Sequence, residues 1–75
     1  MLSFEIKDSG KSIQVDCDSV GLEALIGILT KYREAGGKGH LHLCAPSAGG
    51  NLLSDKTPWG KDAVGELIIS MGGDD

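Results

Sequence analysis

Two histidines and a cysteine alternate with leucines in the segment Gly39-His40-Leu41-His42-Leu43-Cys44. Alternation at every second residue is the period of a β-strand, so His40, His42 and Cys44 share one face at steps of roughly 6.6 Å. Imidazole and thiolate are zinc-type ligands, and His-x-His on a strand lets two rings lean toward one ion. The first and third positions are roughly 13 Å apart at Cα, so one strand rarely closes such a site alone. A carboxylate from a neighbouring strand would have to complete it, with Glu5, Asp16 and Glu66 as candidates where register allows. A cysteine–histidine nucleophile pair is the other chemistry that the spacing permits. No orienting group and no oxyanion hole accompany it in the sequence. The balance favours a face made for solvent or a partner over a ligand set, so the expectation is no enzyme, no metal and no cofactor.

Two further segments could do chemistry. Ser47-Ala48-Gly49-Gly50-Asn51 has the composition of a phosphate cradle, but such loops lead from a strand into a helix. Here Leu52-Leu53-Ser54-Asp55 follows, with Pro58 close behind, which predicts a turn instead. Thr57-Pro58-Trp59-Gly60 holds the single tryptophan. Its ring either folds over the core edge or serves as an aromatic anchor at an interface, where tryptophan is over-represented.

The elements that must position these residues follow from periodicity. Leu2, Phe4 and Ile6 alternate with Ser3, Glu5 and Lys7, and Ile13, Val15 and Cys17 alternate in the same way after the turn residues Asp8-Ser9-Gly10-Lys11. This predicts a β-hairpin over 2–17 with one wet face. Asp18 or Ser19 offers an N-cap, with Glu23 near the positive end of the helix dipole. Leu22, Leu25, Ile26, Ile28, Leu29 and Tyr32 then mark an amphipathic helix over about 20–35, ended by Gly36-Gly37. Gly21 and Gly27 weaken that helix, and close packing against the sheet is the expected compensation for both. A third strand over 39–45, an irregular loop over 46–62 anchored by Leu52, Leu53 or Trp59, and a last strand over about 64–71 complete the chain. Residues 72–75 are expected to fray. The order predicts a two-layer ββαββ domain of the α+β class: a four-stranded, mainly antiparallel sheet with one helix on one face and the other face open.

Size and charge limit the function. Seventy-five residues make one small domain, with little room for an internal cavity of a few hundred Å³, so binding is favoured over catalysis. A net charge of −4 argues against nucleic acid, which calls for a basic stripe, and suits a basic protein partner. The opening MLSFEIKDSG has no apolar signal region and no run reaches the length of a membrane span. Two cysteines 27 positions apart, without CxxC spacing, fit a reduced, cytoplasmic protein.

Gly39-His40-Leu41-His42-Leu43, followed by Gly49-Gly50 and then Leu53-Ser54, resembles immunity protein family thirty-two of bacterial polymorphic toxin systems. Length and element order are also similar, so the resemblance covers nearly the whole chain. It implies a non-enzymatic α+β protein that neutralises a cognate toxin, with a nuclease as one candidate class, in the cytoplasm. His40, His42, Gly49, Gly50 and Leu53 match the patterned positions. On this view the toxin is bound through the open sheet face and the 46–62 loop. The contact residues are then His40, His42 and Trp59 with the acidic Asp16, Asp18, Glu23, Asp55 and Asp62, whose charge would complement a basic groove. The alternatives are a small metal-binding domain using His40 and His42, with Cys44 as an optional third ligand, and a homodimer formed through sheet edges or faces.

Overall fold

A computed structural model of the chain describes residues 1–59 and 63–71. Its elements run β1 (Leu2–Lys7), β2 (Ser12–Cys17), α1 (Ser19–Glu34), β3 (His40–Cys44) and β4 (Glu66–Ser70), with 3-10 turns at Asp8–Gly10 and Pro46–Ala48. The class is α+β, as the periodicity predicts.

The sheet differs from expectation. Among the described residues the four strands form two antiparallel pairs, β1–β2 and β3–β4, rather than one four-stranded sheet. Between the pairs lie segments that are not strands. The amides of Ser54 and Val64 donate to the Leu2 and Phe4 carbonyls at 2.7 Å each. These single bonds occupy the edge of β1 that a continuous sheet would have given to another strand.

The hairpin register pairs Leu2 with Cys17, Phe4 with Val15 and Ile6 with Ile13, all on one face. Only its helix-proximal end is covered. Leu2 and Phe4 join Leu43, Ala45 and Leu53 in the core, against which Leu25, Ile28, Leu41, Leu67 and Ile69 pack. Full burial of a leucine such as Leu2 or Leu43 contributes about 1.5–3 kcal/mol. The opposite face of β1, expected to be wet, is buried at Ser3 and Glu5, so β1 is enclosed on both sides over residues 2–5.

Helix α1 begins where Asp18, in extended conformation, accepts from the Gly21 amide at 2.8 Å. Its first turn holds no acidic residue; Glu23 follows that turn and is exposed. The helix ends as a Schellman motif: Gly37 N–H donates to Tyr32, Gly36 N–H to Arg33, and Gly36 takes φ +88°. The buried stripe is narrower than the apolar one. Gly21, Leu25, Ile28 and Tyr32, at steps of four, three and four, face inward, whereas Leu22, Ile26 and Leu29 are exposed. A sheet broken into hairpins gives the helix too small a surface to bury both flanks.

The two helical glycines part company. A Cβ on Gly21 would lie 1.9 Å from the Met1 carbonyl oxygen, so close packing explains that glycine. Gly27 is exposed with nothing within 4 Å of a would-be Cβ, so the expected compensation is missing there.

The 46–62 loop is anchored through its leucines. Leu52 and Leu53 amides both donate to the Cys44 carbonyl, and Leu53 is buried. Gly49 takes φ +86° as it closes the 3-10 turn, the turn role predicted for it. Asp62 and the tail at 72–75 lie outside the described residues.

Candidate functional site

The histidine strand is a two-faced element. Leu41 and Leu43 turn inward, and His40 and His42 are exposed. The β3–β4 register sets His40 opposite Ser70, His42 opposite Ile68 and Cys44 opposite Glu66. Of the three carboxylates considered from sequence, register brings Glu66 alongside; Glu5 and Asp16 belong to the other hairpin.

Glu66 gathers the polar side chains of this face. Its Oε2 stands 3.2 Å from His42 Nδ1 and 3.6 Å from Cys44 Sγ. The His42 contact becomes an ion pair only when the imidazole is protonated. His40 meets His42 edge to face, with ring centroids 6.2 Å apart. Burial chiefly, and then the hydrogen bond and charge of Glu66, raise the Cys44 thiol above its ordinary pKa. A thiol held protonated beside a carboxylate is neither an activated nucleophile nor a ready metal ligand. Among the described residues no group of three or more His, Cys, Asp and Glu is arranged to hold a metal ion.

Trp59 does not fold over the core. It is 68% exposed, on the loop that leaves β3. Beside it in sequence, Thr57 is buried and Pro58 exposed. On the outward face of β3–β4, Ile68 adds an exposed apolar side chain opposite His42. His40, His42, Ile68 and Glu66 make a mixed apolar and charged strand face of the sort found at interfaces, and Trp59 adds an exposed ring on the loop.

The acidic residues are dispersed in role. Asp18 holds the N-terminal ammonium at 2.6 Å besides capping α1. That ammonium first, and the Gly21 amide next, lower its pKa. Asp16 Oδ1 accepts from Gln14 Nε2 at 2.9 Å, and Gln14 accepts in turn from Lys7. Asp16 Oδ2 and its register neighbour Ser3 Oγ are buried without a partner among the described residues. Asp55 binds inward, accepting from the Ser47 amide at 3.0 Å and from the Ser47 hydroxyl. It thereby clips the 46–48 turn to the loop. Glu23, the fourth, stands exposed on α1 and bonds to no side chain among the described residues.

Sequence reasoning passed over Tyr32, read as one more apolar position of the helix. Its hydroxyl lies 3.0 Å from the Gly37 carbonyl and 2.9 Å from that of Gly39, and it accepts from the Met71 amide at 3.1 Å. One phenol thus ties the helix end to the approach to β3 and the exit from β4. The only signal for it in the sequence is a hydroxyl on an otherwise apolar stripe.

No helix among the described residues is long and apolar enough to cross a membrane. Comparison with protein-family models, with curated proteins and with solved structures gives no match.

Proposed function

We propose that this chain is an immunity-type protein that binds and neutralises a cognate bacterial toxin in the cytoplasm, through the outward face of β3–β4 and the 46–62 loop. The observation that carries this reading is the exposure of Trp59 at 68%. An indole left in water on a loop pinned by Leu53 and the Asp55–Ser47 clip is pre-organised to act as an anchor for a partner. His40, His42, Glu66 and Ile68 supply further contacts on the neighbouring strands. A net charge of −4 favours encounter with a basic protein surface. Asp16, Asp18 and Asp55 are engaged within the fold, so the charge they offer is a field more than a set of bonds; Glu23 is free to reach a partner.

The metal-binding alternative has less support, because the cluster around Glu66 is held by a hydrogen-bonded thiol and is not arranged as a ligand set.

The experiment is co-expression with a toxin-like protein sought among the genes that neighbour this one, followed by calorimetry on the purified pair. Growth should be rescued, and Trp59→Ala should weaken binding by roughly 30-fold or more, as expected of an interface anchor worth about 2 kcal/mol. Failure to rescue, or an unchanged affinity for Trp59→Ala, would reject the reading. An association rate that does not fall with added salt would reject its electrostatic part alone.

A further inference from the structure

The surface left over when the fold is complete points elsewhere than the histidine face. The apolar face of the β1–β2 hairpin continues past the core into water: Ile6 is 60% exposed, Ile13 63% and Val15 45%. Ile6 and Ile13 are direct cross-strand partners and Val15 is two residues along the same face, so the three form one patch. The patch reaches the outer strand β2, whose far edge receives no backbone hydrogen bond from any described residue. Protein edges of this kind are usually blunted by proline, lysine or a bulge. β2 reads Ser-Ile-Gln-Val-Asp-Cys, without proline or lysine, and pairs with β1 through six consecutive residues without a bulge. Its single charge, Asp16, is tied to Gln14.

The chain exposes 5213 Å², about 800 Å² more than the ~4,400 Å² expected of a compact monomer of 7.8 kDa. Its radius of gyration is 13.0 Å, against about 11 Å for a compact domain of this length. The exposed Ile6, Ile13 and Val15 contribute to that surplus, and a standard interface takes about 800 Å² from each partner.

We infer that the β2 edge is a self-association surface, occupied by β2 of a second copy of this chain. Antiparallel pairing about a two-fold axis at Gln14 sets Ile13 opposite Val15 of the other copy and Gln14 opposite its own counterpart. That register extends the two hairpins into one four-stranded sheet and merges their apolar patches. It also places Asp16 opposite Ser12 rather than opposite another Asp16, so no like charges meet. Such an interface is isologous and closes on itself, as a stable dimer requires. This inference stands apart from the toxin reading, which uses Trp59 and the β3–β4 face.

Light scattering coupled to size-exclusion chromatography, from about 1 to about 200 µM, reads the dimer directly because its population follows mass action. The expected result is a mass of twice 7.8 kDa at the upper end. Ile13→Lys and Val15→Lys should each weaken dimerisation by more than about tenfold, since each puts a charge in the seam. Because both side chains already face water, the melting temperature of the dilute monomer should stay as it was. Ile68→Lys, on the other exposed face, should leave the dimer unchanged. Gln14→Cys should form an intermolecular disulfide on oxidation, because paired residues across antiparallel strands fall within disulfide reach. A monomer throughout the range overturns the inference, and so does a dimer that persists in both lysine variants or that Ile68→Lys abolishes. The toxin-rescue assay performed on Ile13→Lys keeps the two proposals separable: rescue by a monomeric variant would leave each standing on its own test.

Discussion

The same substitution at two positions of helix α1 should change stability in opposite directions. In a helix interior, Gly→Ala is worth up to about 1 kcal/mol of stabilisation, since alanine loses less backbone entropy on folding. Gly27 receives that gain undiluted: it is exposed, and an added Cβ would meet nothing within 4 Å. For 75 residues a gain of that size raises Tm by roughly 4–8 °C. At Gly21 the Cβ would fall 1.9 Å from the Met1 carbonyl oxygen, 2.7 Å from its carbon and 3.3 Å from the Leu2 nitrogen. All three are backbone atoms and cannot rotate aside. The helix start and β1 must therefore separate by more than an ångström, which costs about 1–3 kcal/mol as overpacking. Separation also strains the bond from the Asp18 amide to the Met1 carbonyl, 3.2 Å long, worth about 1 kcal/mol. That loss cancels the intrinsic gain, so Gly21→Ala should destabilise by about 1–3 kcal/mol and lower Tm by roughly 5–20 °C. Urea denaturation of the two variants beside the parent measures both signs at once. Stabilisation by Gly21→Ala comparable to that by Gly27→Ala would refute the close approach of α1 to the start of β1.

Three other outcomes follow from the geometry. Tyr32→Phe removes the hydroxyl that joins Gly37, Gly39 and Met71; a loss of about 1 kcal/mol with faster hydrogen exchange at the Met71 amide is expected, and unchanged exchange would count against the tether. The folded-state pKa of Asp18 is lowered by the N-terminal ammonium and the Gly21 amide, so its stabilisation is complete above the ordinary carboxylate value of about 4 and disappears as pH falls through the lower folded value. Melting temperatures of the parent and Asp18→Asn should accordingly differ at neutral pH and converge in strong acid; a gap that stays constant with pH would mean the charge is irrelevant. Since burial and Glu66 raise the Cys44 thiol while Cys17 is exposed, iodoacetamide should alkylate Cys17 first near pH 8, and Glu66→Gln should speed Cys44; equal rates in the parent would contradict the raised thiol, and an unchanged Cys44 rate in Glu66→Gln would contradict the Glu66 contact.

What the sequence determined by itself is local. Alternation in Leu2–Lys7, Ser12–Cys17 and His40–Cys44 set the strands, Asp18 set the helix start, and Gly36-Gly37 its end, because backbone conformation and side-chain period are properties of neighbouring residues. The same alternation put His40 and His42 outside and Leu43 inside. Long-range pairing was beyond its reach. Nothing in the spacing says that residues 54 and 64, rather than a strand, bond the free edge of β1, and on that choice depends the division into two hairpins. From the division come the exposed Ile13 and Val15, the half-covered helix and the burial of Ser3 and Glu5. Glu66 came to His42 and Cys44 through the register of β3 with β4, across 24 and 22 residues of chain respectively. Periodicity tells each residue which way to face; only the packed chain decides what, if anything, stands opposite.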